Sequence, residues 1–148
     1  MRKTLFLLLS ALLWSACQPQ GETAKSQTPD PSYDPEARLQ ELGVELPEAS
    51  SPVANYVNAV RTGELLFLAG KGPKKPDGTY ITGKVGTDLT VEQGYEAARL
   101  TAVNQLAVLK AELGDLRRVR RIVKVTGMVN AAPDFTQHPE VVNGFSDL

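Results

Sequence analysis

Apolar and polar positions divide this chain into three unlike regions. Leu5 to Leu13 is apolar except for Ser10. Gln18 to Glu36 carries almost no large apolar side chain. From Ala37 onward, apolar residues recur with the periods of strands and helices. Ala37 to Leu42 predicts a short helix ended by Gly43, and Val44 to Val53 reads as irregular, punctuated by Pro47 and Pro52. Tyr56 to Val60 and Leu65 to Leu68 are two strand-like runs around the turn Arg61-Thr62-Gly63-Glu64. They predict a hairpin whose second strand ends at Ala69-Gly70. The loop from Gly72 to Gly78 holds Pro73, Pro76 and Asp77-Gly78, after which Tyr80 to Thr82 is expected to return as a third strand.

Thr90 is the expected N-cap of a helix over 91–113, with Glu92 in its first turn and Gln93 three residues on. Tyr95, Ala98, Ala102, Leu106, Leu109 and Leu113 form one stripe at three- and four-residue steps. Gly114 is placed to end the helix, and Gly94 is tolerated near its start at some cost in propensity. Arg120 to Asn130 alternates as a strand does. Val123, Val125 and Val129 share one face with Arg121 and Gly127; Ile122 and Met128 share the other with Lys124 and Thr126. A further helix starts near Pro139. Hairpin, strand, helix, strand and helix in that order predict an α+β domain of about 110 residues, a common size for one core.

The front of the chain has the layout of a secretion signal over residues 1–16. Arg2 and Lys3 precede the apolar run, which is too short for a typical membrane span, and small residues Ser15 and Ala16 precede Cys17. Leu13-Trp14-Ser15-Ala16-Cys17 resembles a bacterial lipobox, in which the cysteine is lipidated. Trp14 departs from it, since that slot usually holds a smaller or aliphatic residue. The other reading is an ordinary cleaved signal, with a secreted, soluble product. Residues 17–36 are expected to be a flexible tether to the cell envelope.

Charge and residue counts then narrow the chemistry. The 16 basic residues less Arg2 and Lys3 leave 14 against 17 acidic ones, a net of −3 beyond the signal. That gives no general attraction to nucleic acid. Arg117, Arg118, Arg120, Arg121 and Lys124 form one basic cluster, but strand alternation sends Arg120 and Arg121 to opposite faces, and no aromatic residue is interleaved. One cysteine cannot form an intrachain disulfide. One histidine, His138, argues against a histidine-rich zinc site, and Pro139 places it in a loop or at a helix start. No dinucleotide or P-loop glycine pattern occurs, and no cofactor is expected. A glycine at the tip of a buried strand lets a ligand approach the backbone, although glycines also end strands simply to turn.

Pro52 to Pro73, Asp77 to Gly86, the helix near 91–113, Val119 to Asn130 and Ala132-Pro133-Asp134-Phe135 together resemble the reactive intermediate deaminase family (RidA, also called YjgF). The resemblance covers about residues 37–148. It implies a chorismate-mutase-like mixed sheet with helices on one face, a homotrimer, and ligand clefts between subunits. It implies hydrolysis of reactive 2-imino and 2-enamino acids to 2-keto acids and ammonia, with no metal. By position it makes Tyr56 the aromatic residue lining the cleft and Gly70 the backbone donor to the substrate carboxylate. Ala69 stands where many members have serine, and Lys71 adds positive charge beside Gly70 or is a solvated surface lysine. Pro133 replaces a frequent asparagine.

Relative to that family the last two strands are expected to be lacking, with the arginine that grips the carboxylate and the glutamate that serves the water. The expected activity is therefore an impaired deaminase. The alternatives are a non-catalytic ligand-binding or chaperone-like envelope protein of the same fold, and a truncation product that folds poorly.

Overall fold

A computed structural model describes residues 32–148. The signal-like segment, Cys17 and most of the polar stretch lie outside the described residues. Helix α1 spans Pro35–Glu41, two residues ahead of the sequence expectation. Asp34 starts it, because its carboxylate accepts from the N–H groups of Glu36 and Ala37, and Pro35 suits the first turn. Gly43 ends it with φ of 64°.

Strands β1 (Ala59–Thr62) and β2 (Leu65–Leu68) pair antiparallel, with Ala59 opposite Leu68 and Thr62 opposite Leu65. The two-residue turn Gly63-Glu64 takes a positive φ of 55° at Gly63. Leu66 and Leu68 turn inward and join a core built on Leu39, Leu109 and Leu116. Leu65 and Phe67, one step out of phase, are exposed.

Helix α2 spans Val91–Leu113. Its start is fixed as the sequence predicts: Gln93 N–H donates to Thr90 Oγ1 at 3.2 Å, and Thr90 N–H donates to Gln93 Oε1 at 2.8 Å. Gly114 closes it in the left-handed region, at φ of 75°. Ala102 and Leu109 of the expected stripe are buried, but so are Val103, Ala107 and Val108. The buried arc is wider than one stripe because α2 meets the hairpin core along one side and α3 (His138–Ser146) along another. Gly94 is needed there, since a Cβ would stand 3.1 Å from methyls of both Val85 and Val141. Tyr95 donates its hydroxyl to Asp147 at 3.1 Å, which holds the phenol above its ordinary pKa.

Glu36 ties α1 to the far end of α2. Its carboxylate accepts from Lys110 Nζ at 2.5 Å and from Leu116 N–H at 3.2 Å. Lys110 first, and Leu116 second, hold the Glu36 carboxyl below the usual glutamate range. A depressed folded pKa gives stability that is present above the unfolded value, about 4.3, and is lost as pH falls through the folded one. Glu36→Gln should therefore melt below the wild type at pH 7, and the gap should close under more acid conditions. Thermal melts of both proteins across that range measure it; a gap that is unchanged with pH contradicts the assignment.

Two expected strands are not formed. Residues 80–82 make one isolated bridge, Lys74 to Tyr80, because the chain turns back only briefly around the Asp77 turn. Residues 120–130 carry no ladder at all. Their end touches residues 83–86, where Val85 N–H donates to Asn130 O and Ala132 N–H to Val85 O, both at 2.9 Å. Gly127 passes over Val142 of α3. Elsewhere along 120–130, no neighbouring strand among the described residues offers backbone partners. Apolar side chains of both alternating faces stay exposed, Ile122 at 60% and Val123 at 66%. Among the described residues the mixed sheet of the expectation is thus a two-stranded antiparallel sheet, and the α+β class stands.

Candidate functional site

Three of the four expected site residues, Ala69, Gly70 and Lys71, follow directly on β2 at the end of the hairpin away from its Gly63-Glu64 turn. Ala69 N–H donates to Asn58 O at 2.9 Å, extending the β1–β2 pairing by one bond. Beyond that bond the strand leaves β1. Gly70 is exposed, its N–H has no acceptor among the described residues, and a Cβ built there meets nothing within 4 Å. Its backbone is therefore open to a ligand.

Lys71 is not a solvated surface lysine. It is half-buried, and its ammonium is held by Asn58 Oδ1 at 2.6 Å and by Ser50 O and Oγ, both at 3.3 Å. Asn58 Nδ2 completes the group by donating to Ser50 O at 2.9 Å. All three acceptors are neutral, and no carboxylate pairs with Lys71 among the described residues. A positive charge without a counter-charge thus sits one residue from an open N–H group. Such a corner favours an anion.

Tyr56 lies outside β1, which begins only at Ala59. It sits in a bend, with its N–H donating to Ala54 O at 2.8 Å, two residues ahead of Asn58. Its ring is exposed.

Sequence reasoning missed the residues behind the tip. Gln105 of α2 donates from Nε2 to Ala69 O at 2.9 Å, and its Oε1 is buried with no partner among the described residues. Asn104 donates from Nδ2 to Gly72 O and to Lys74 O, both at 3.1 Å. The available signal was two adjacent amides in the middle of an otherwise apolar helical run. Ser50 and Asn58 gave no such signal, since each reads as an ordinary loop residue.

Other candidates are engaged elsewhere. Arg38 pairs with Glu41, Arg61 with Gly63 O, Arg117 with Asp115, and Arg118 with Leu113 O. His138 opens α3 and stacks edge-on against Phe135, with ring centres 5.0 Å apart. No group of three metal-ligating side chains occurs among the described residues. A hollow of about 370 Å³ lined by Lys75, Ile81, Leu89, Glu92, Gln93 and Glu96 contains none of the tip residues. Its two glutamates disfavour a carboxylate there.

Known proteins are similar to this one over most of the chain. A protein named "Protein TCP17" from Trypanosoma cruzi is 46% identical over 112 residues, 76% of this chain and 70% of that protein. A crystal structure of a "putative endoribonuclease" from Shewanella oneidensis MR-1 superposes with a TM-score of 0.75 at 35% identity, covering 78% of this chain and 76% of that one. The crystal structure of protein Atu1372 from Agrobacterium tumefaciens, a protein described as of unknown function, superposes with a TM-score of 0.68 at 43% identity, covering 76% of this chain and 69% of that one. The family model described as "YjgF/chorismate_mutase-like, putative endoribonuclease" matches residues 36–148, which takes in α1 from its second residue, the hairpin, Gly70 and both later helices. By that match and those relatives, the chain belongs to the YjgF/chorismate-mutase-like family.

Proposed function

We propose that this protein binds small 2-imino and 2-enamino acids by their carboxylate at Gly70 and Lys71, and hydrolyses them. One observation carries the reading: the open Gly70 N–H directly precedes, in sequence, the half-buried Lys71, whose ammonium has no acidic partner among the described residues. Charge and donor together suit a carboxylate. Tyr56 supplies an aromatic wall. Water adds to the imine carbon, the C–N bond of the resulting aminoalcohol breaks, and R–C(=NH)–COO⁻ plus water becomes R–C(=O)–COO⁻ plus ammonia. The Lys71 ammonium is a point charge without the bidentate fork of a guanidinium, so it attracts a carboxylate without fixing its orientation.

An amino-acid oxidase that releases imines into solution tests this. Added protein should speed the appearance of keto acid; no acceleration rejects the hydrolase reading. Ala69 favours a second reading, a binding protein without turnover, because it offers no hydroxyl at that point of the strand. Carboxylate binding without faster keto-acid release would select it.

We also propose a homotrimer anchored at the cell envelope through Cys17. Exposed apolar side chains at Ile122, Val123 and Met128, the last 96% accessible, support burial against further copies. Light scattering should give three chains per particle, and a monomer rejects the assembly. Replacing Cys17 by serine should move the protein from the membrane fraction to the soluble one. Unchanged fractionation rejects the anchor.

A further inference from the structure

The tip peptide between Ala69 and Gly70 is oriented from behind, by helix α2. No described peptide bond is cis, and a trans peptide puts its carbonyl and the following N–H on opposite sides. Gln105 Nε2 holds the Ala69 carbonyl at 2.9 Å. The Gly70 N–H therefore points away from Gln105, no acceptor among the described residues competes for it, and a Cβ at Gly70 would meet nothing within 4 Å. Asn104, the preceding residue on α2, holds the carbonyls of Gly72 and Lys74 at 3.1 Å. Two adjacent helical amides thus fix three carbonyls of the chain crossing above them.

The other half of the Gln105 amide argues against a purely stabilising role. Its Oε1 is buried and receives no donor among the described residues. Rotating the amide by half a turn does not help, because Oε1 would then face the Ala69 oxygen, acceptor against acceptor. An unbonded buried acceptor is costly, whereas an apolar side chain of the same length would fill the space without it. We infer that Gln105 is a positioning residue: it fixes the Ala69 carbonyl against α2 and so aims the Gly70 N–H at the ligand carboxylate. The inference rests on the carboxylate reading proposed above.

Gln105→Met in the full chain tests it, since methionine keeps the volume and removes both the clamp and the orphaned oxygen. Three measurements go together: the melting midpoint, the Gly70 amide cross-peak of the ligand-free protein, and the Kd for 2-oxobutanoate, a stable keto-acid product. The midpoint should change little, since relief at Oε1 offsets the partner lost by the Ala69 carbonyl, the cross-peak should move, and the Kd should weaken about tenfold, the loss of one well-aimed hydrogen bond to a charged group. An unmoved Gly70 cross-peak, or unchanged affinity in a wild type that binds, overturns the inference. So does a fall in the midpoint that accompanies the lost affinity, which would make Gln105 structural. A wild type that ignores 2-oxobutanoate, with the Gly70 cross-peak still displaced in a stable Gln105→Met protein, would instead reject the carboxylate reading and leave the orienting role of Gln105 standing.

Discussion

Gly144→Ala should lower the melting midpoint by about 10 °C, the product of a net loss of roughly 2 kcal/mol and the sensitivity of a domain this size. Gly144 is buried in α3 where that helix crosses α2. A Cβ there would overlap the carbonyl oxygen of Tyr95 and stand 2.8 Å from its carbon. Both are backbone atoms of α2, so no side-chain rotation relieves the clash. The helices must separate, and Val141, Gly94 and Val85 lose their close contact with them. Alanine's better helix propensity returns about 1 kcal/mol, which is less than overpacking of this kind costs. Thermal melts of the two proteins decide it. A midpoint within a degree or two of wild type would mean that α2 and α3 cross less tightly than described.

Gly70→Ala should do the opposite. The position has an unstrained backbone and an empty space for a Cβ, so the midpoint should hold or rise slightly. Carboxylate binding should nevertheless fall about 10- to 100-fold. The new methyl adds bulk next to the proposed N–H donor, and a hydrogen bond to a charged group contributes about 1.5–3 kcal/mol. Calorimetric titration with 2-oxobutanoate reads the loss. Equal affinity in a fully folded Gly70→Ala protein would remove Gly70 from the site. The two glycines therefore separate fold from function: one is required by a neighbouring helix, the other is bordered by nothing.

Local signals were the legible ones. Thr90 with Gln93, Gly114 after Leu113, and Gly63 between two apolar runs each fix an element through contacts a few residues apart. The strand expected over 120–130 was not legible in this way, because alternation describes a chain that suits a ladder but does not supply the partner. Here only residues 83–86 meet its end. The same limit applies to Tyr80 to Thr82. At the site, Gly70 was legible as a glycine ending a strand. For Lys71 the sequence leaves a charge beside Gly70 and a solvated lysine both open, because its partners Ser50 and Asn58 lie 21 and 13 residues away. Gln105 was hidden for the same reason, since its amide serves a carbonyl 36 residues back.

Titrating the isotope-labelled wild type with 2-oxobutanoate, and in parallel with the uncharged 2-oxobutanamide, bears most directly on whether a lysine-backed backbone donor receives an acid here. Saturable movement of the Gly70 and Lys71 amide resonances is predicted for the acid, with little or none for the amide. Still resonances at both positions, or equal responses to the two compounds, would contradict it.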